Sequence, residues 1–138
     1  MLDHLGLRVA DHARSRAFYE RALAPLGYGV VMEVTSAETG GSYQGCGFGP
    51  PQRPHFWIGT GTGGATSGSG AHIAFSAASR AAVDAFHAAA LAAGGRDNGA
   101  PGLRPHYHAD YYGAFVIDPD GHNIEAVCHD APGAGGAT

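Results

Sequence analysis

The chain has 138 residues, enough for one domain with a sizeable core, and carries eight basic and twelve acidic side chains for a formal net charge of −4. Every basic side chain is an arginine and none sits in a basic run, which argues against nucleic acid and anionic membrane as partners. No apolar run approaches the roughly 18 residues a membrane span needs. No signal peptide is expected behind Met1, and two cysteines make no disulfide framework, so a reducing cytoplasm is the expected location.

Residues 3–9 alternate, with Leu5, Leu7 and Val9 on one face and His4, Gly6 and Arg8 on the other, the period of a half-buried strand. Asp11 is placed to cap a helix running to about Ala24, with Phe18, Tyr19, Ala22 and Leu23 as its buried stripe and Pro25 and Gly27 as its stop. Strands are expected at Tyr28 to Val34, Tyr43 to Phe48 and His55 to Gly59. The stretch from Gly59 to Gly70 reads as a flexible Gly/Ser/Thr linker. It also matches G-x-G-x-x-G, but a strand rather than a helix follows, so it is not expected to cradle a phosphate.

Beyond the linker the order repeats. Ala71 to Ser76 reads as a strand, and Ser79 as the cap of a helix to about Ala93. A long loop holding Pro101 and Pro105 is expected next, then a strand from Tyr111 to Ile117, an Asp118-Pro119-Asp120-Gly121 turn, and a last strand from His122 to Cys128. The boundaries are therefore a first module over 1–59, a linker over 60–70, a second module over 71–130 and a disordered tail over 131–138.

The two halves are copies of one βαβββ module. Laying His4 on His72 places Asp11 on Ser79, Phe18 on Phe86, Leu23 on Leu91, Gly27 on Gly95 and Tyr43 on Tyr111 without a gap. In the same frame Phe56 falls on Ile124 and Trp57 on Glu125. Strand parity then assigns His4, Trp57, His72 and Glu125 to one shared face. Two imidazoles and a carboxylate suffice for one divalent transition metal, whether Fe, Mn, Zn, Ni or Co, with positions left open for water or substrate. A single strand histidine is more often a hydrogen-bonded packing residue; the repeat-equivalent pair and the acid give the metal reading its weight.

The opening Asp3-His4-Leu5-Gly6-Leu7-Arg8-Val9 with Ser15-Arg16-Ala17-Phe18-Tyr19, then Gly70-Ala71-His72-Ile73-Ala74-Phe75 and Asp118-Pro119-Asp120-Gly121-His122-Asn123-Ile124-Glu125, resemble the vicinal oxygen chelate superfamily. Its members include glyoxalase I, fosfomycin-resistance thiol transferases, extradiol dioxygenases and bleomycin-resistance proteins. The resemblance implies an α+β fold of two tandem βαβββ modules whose sheets curl around a shared cavity. It also implies a metal held by His4, His72 and Glu125. Glyoxalase I carries a glutamate ligand and proton shuttle where this chain has Trp57, a departure that puts the isomerase reaction in doubt. The three-ligand pattern is closer to the transferases and dioxygenases.

Glu125 and His108 are the candidate acid/base residues, and Trp57, Arg8, Tyr107 and Tyr112 the candidate substrate pocket. Arg104 and His106 lie in the same crowded loop as His108, and Arg8 reads as half of a rim ion pair ahead of an anion-binding group. The expected activity is Lewis-acid catalysis on a small vicinal-oxygen substrate, of lyase or transferase type. Its rivals are an extradiol-type dioxygenase and a non-catalytic protein that sequesters a small molecule. A homodimer is expected by the resemblance, with the metal site formed either within one chain or, as favoured here, across two, the second module docking on the partner chain.

Overall fold

The computed structural model describes residues 1–61 and 70–134. Most of the expected linker, and residues 135–138 of the expected tail, fall outside them. The first module runs β1 (Leu5–Arg8), α1 (His12–Leu23), a 3-10 turn (Ala24–Leu26), β2 (Gly29–Val34), β3 (Tyr43–Gly49) and β4 (Phe56–Gly61). The second runs β5 (His72–Ser76), α2 (Arg80–Ala92), β6 (Arg96–Leu103), β7 (Tyr112–Ile117) and β8 (Asn123–Cys128). Strand β4 thus passes the boundary expected at residue 59, because Thr60 and Gly61 pair with Gln44 and Tyr43.

Each module folds into a four-stranded sheet of the same topology, β1-β4-β3-β2 and β5-β8-β7-β6. The agreement extends to register. Leu5 pairs with Phe56 as Ile73 pairs with Ile124, and Gly47 pairs with Trp57 as Phe115 pairs with Glu125. The helix caps repeat as well: Asp11 accepts from the Arg14 amide, and Ser79 from the Ala82 amide.

Residues 96–103, expected as a loop, form the edge strand β6. Its pairing with β7 is interrupted between Asp97 and Gly99 and again between Gly99 and Gly102. Pro101 falls in the second interruption, where the missing amide breaks no ladder bond.

The modules share one core, drawn from the helix-facing sides of both sheets. Phe18, Tyr19 and Phe86 are fully buried in it beside Phe48, Phe56 and Val116. Phe75 crosses to the first module, edge-on to Phe56 at 5.3 Å and to Tyr28 at 5.8 Å. Burying each phenylalanine contributes roughly 1.5–3 kcal/mol.

The Asp118–Gly121 turn locks the modules together. Asp118 accepts from the buried Tyr19 hydroxyl, while Asp120 accepts from the Ala10 amide at 3.0 Å and from the Ser15 hydroxyl at 3.0 Å. Burial and the neighbouring Asp118 hold the Tyr19 hydroxyl well above its usual pKa, so it stays a donor.

The sheets of the two modules do not close on each other within the chain. The two sheets remain separate, with their helix-facing sides turned into the common core. The faces carrying His4 with Trp57 and His72 with Glu125 lie on the opposite side of each sheet.

Candidate metal centre

The site in the second module is built by strand parity. On β8, Ile124 and Ala126 enter the core, which turns Glu125 to the open face. On the parallel neighbour β5, Phe75 enters the core and His72 shares the face of Glu125. The His72 Nε2 and Glu125 Oε2 atoms stand 2.9 Å apart. Tyr111, immediately before β7, donates its hydroxyl to Glu125 Oε1. Phe115, directly opposite Glu125 in the register, Tyr111 and the exposed Tyr107 complete a cleft of about 430 Å³ over the pair.

The electrostatics single out Glu125. Its side chain is 2% exposed, yet its hydrogen-bond partner is the His72 imidazole, which is half exposed. Burying a carboxylate is costly unless positive charge or strong donors compensate. The Tyr111 hydroxyl supplies one donor, and its own pKa is pushed up to about 12 by burial and by the hydrogen bond to Glu125. The residues fit a metal. Ligands at about 2.0–2.2 Å from an ion, set roughly at right angles, are about 3 Å apart, the separation of these two donors.

His4 stands on the other sheet, just before β1. Its Nδ1 lies 2.6 Å from Asp3 Oδ1, and the imidazole holds the Asp3 carboxyl below its ordinary pKa through that hydrogen bond and its charge. A carboxylate on one ring nitrogen is the usual arrangement of a metal-ligating histidine and leaves Nε2 available. Among the described residues, however, no three His, Cys, Asp or Glu side chains gather as a metal cluster. One chain therefore brings together His72 and Glu125 and leaves His4 apart.

The other expected site residues divide by face. Trp57 lies on the open face of the first sheet, paired with Gly6 and Gly47. Arg8 is on the same face beside Gly61 and Tyr43, and it forms no ion pair among the described residues. Tyr107 lines the second module's cleft.

Tyr112 does not line it. Its position in β7 shares parity with the core residues Ala114 and Val116, and its hydroxyl donates to Asp84 of α2 at 2.7 Å, with Arg80 over its ring. His108 is also outside. Its ring accepts from the Asp110 amide at 3.2 Å and stands against His129, and it is not among the residues that line the cleft.

Tyr111 and Phe115 are the site residues that sequence reasoning missed. The signals were present: Tyr111 is the repeat mate of Tyr43, and Phe115 has the odd parity of Gly113 in a strand whose even positions are core.

Two βαβββ modules, each with a helix over a β1-β4-β3-β2 type sheet, define a glyoxalase-like fold. The chain matches the family model described as the Glyoxalase/Bleomycin resistance protein/Dioxygenase superfamily over residues 1–126, and it belongs to that superfamily. It is 33% identical to a glyoxalase/bleomycin resistance protein from Albidiferax ferrireducens T118, with a TM-score of 0.70 over 93% of this chain and 98% of that one. A glyoxalase/bleomycin resistance protein/dioxygenase family enzyme from Burkholderia phytofirmans PsJN shares the fold at 21% identity and TM-score 0.65, over 93% of this chain and 98% of that one. Glyoxalase I from Zea mays shares it at 22% identity and TM-score 0.67, with 92% of this chain matching 45% of that longer one. No curated protein matches the chain.

Proposed function

We propose that the protein is a divalent-metal-dependent enzyme, of lyase or transferase type, acting on a small substrate with adjacent oxygen atoms. Each complete site forms between two chains of a homodimer. The observation that carries this reading is the meeting of His72 Nε2 and Glu125 Oε2 at 2.9 Å on the floor of an aromatic cleft. The third imidazole occupies the repeat-equivalent position on the other sheet, where its own chain does not bring it to that floor.

In the dimer, His72 and Glu125 of one chain and His4 of the partner subunit hold the ion, and the partner subunit's Trp57 and Arg8 face the substrate. Two imidazoles and a carboxylate suit Fe, Mn, Zn, Ni or Co. Such an ion supplies Lewis acidity to the oxygens it binds. Glu125 is the one carboxylate lining the cleft among the described residues, since Trp57 offers no second one. Arg8, free of an acidic partner among the described residues, is available to an anionic group of the substrate. Tyr107 and Phe115 exclude water from the apolar part of the substrate. Free, buried Cys46 and Cys128 support a reducing compartment, the cytoplasm.

Two readings compete. The aromatic walls also suit a protein that sequesters a small molecule without turning it over, and the three-ligand set also suits an extradiol-type dioxygenase. Metal analysis of protein purified without chelator tests the proposal. Near-stoichiometric transition metal that His72→Ala and Glu125→Ala each remove supports it. Metal-free protein that binds apolar ligands supports sequestration, and dioxygen uptake with a catechol supports the dioxygenase.

A further inference from the structure

Tyr43-Gln44-Gly45 and Tyr111-Tyr112-Gly113 are repeat-equivalent Tyr-x-Gly segments. In each, the tyrosine ring folds back across the glycine two residues ahead, occupying space that a Cβ there would need. In the first module the Tyr43 ring and hydroxyl lie over Gly45 and Gly59, both without a side chain. In the second, Tyr111 reaches over Gly113 to Glu125. A Cβ on Gly113 would stand 3.1 Å from Glu125 Oε1 and 3.2 Å from Tyr111 Cε1. The ring is held edge-on by Tyr107 and His129, each at 5.1 Å between centroids.

From this geometry we infer that Tyr111 is the positioning residue of the metal centre. Its hydroxyl engages Glu125 Oε1, so that the carboxylate presents Oε2 alone, beside His72 Nε2, as a one-oxygen ligand. The assignment rests on the metal site proposed above and adds a coordination mode to it. Tyr111 touches neither metal nor substrate; it acts through Glu125. Partners of this kind typically affect metal affinity by about 10–100-fold.

The test is Co(II) binding to metal-stripped protein, followed by calorimetry and by the visible absorption of the bound ion. Tyr111→Phe is expected to weaken Co(II) binding about 10–100-fold and to change its visible spectrum as Glu125 Oε1 becomes free to coordinate. Tyr112→Phe, which removes the neighbouring hydroxyl on the opposite face, should leave both unchanged. Should Tyr111→Phe fail to fold, Gly113→Ala provides the second variant, because its methyl would stand 3.1 Å from Glu125 Oε1 and 3.2 Å from the Tyr111 ring and so crowds the contact between them, and it should lose affinity in the same way. Wild-type affinity and spectrum in a folded Tyr111→Phe or Gly113→Ala protein would overturn the positioning role and leave the metal site standing. A wild-type protein that takes up no Co(II) would overturn both.

Discussion

Trp57 and Glu125 occupy the same place in the two modules. Trp57 pairs with Gly6 on one side and Gly47 on the other, and Glu125 pairs with Ala74 and Phe115 in the identical register. The two sheets thus offer unlike faces, one carrying an imidazole and an indole, the other an imidazole and a carboxylate. A site assembled from one face of each kind, as proposed, would combine two imidazoles and one carboxylate with an aromatic wall.

Trp57 is the sole tryptophan, so its emission reports on the first sheet alone. If that face closes over the metal bound at His72 and Glu125, Co(II) should quench the emission strongly, with a saturation curve matching metal uptake. Glu125→Ala should abolish the quenching although Glu125 lies on the other sheet. Saturable Co(II) uptake with unchanged emission would place Trp57 away from the site.

The bond between Tyr19 and Asp118 ties the first helix to the turn before the last strand. Tyr19→Phe keeps the ring packing and removes only the hydroxyl. Asp118 keeps its bonds from the Asp120 and His122 amides, at 2.9 and 2.8 Å, so the loss should be about 1–3 kcal/mol rather than complete unfolding. Urea denaturation measures it, and an unchanged midpoint would show that the latch contributes nothing.

The repeat was the most legible feature of the sequence, because parity and cap residues are local and both modules use them alike. The helix caps Asp11 and Ser79 and the core pair Phe18 and Phe86 fall where the self-alignment puts them. Strand β6 was obscured by its own glycines and Pro101, residues that read as loop yet are tolerated on a bulged sheet edge. Tyr112 sits beside the cleft loop in sequence, but parity with Ala114 and Val116, both core, turns it to the helix-facing side. The separation of His4 from His72 was not legible at all. It depends on how one module docks on the other, and the periodicity of each module is silent on that.

The Cys46 thiol lies wholly within the core, and burial pushes its pKa up to about 11 from an ordinary 9.0. The raised folded value means its stabilising contribution is complete below pH 9 and is lost as pH rises toward 11. The folded protein should therefore resist thiol reagents at pH 8, with labelling of Cys46 appearing only as urea unfolds the chain. Rapid labelling of the native protein at that pH would contradict the burial.

In the proposed dimer, His4 of one chain completes the site begun by His72 and Glu125 of the other. Mixing a His4→Ala chain with a Glu125→Ala chain, and isolating mixed dimers by two different affinity tags, tests it directly. Each variant alone should bind little metal, whereas the mixed dimer should regain one intact site and hence about half the wild-type metal content, since one interface then carries all three ligands. Verified mixed dimers that bind no more metal than either parent would contradict the exchanged site.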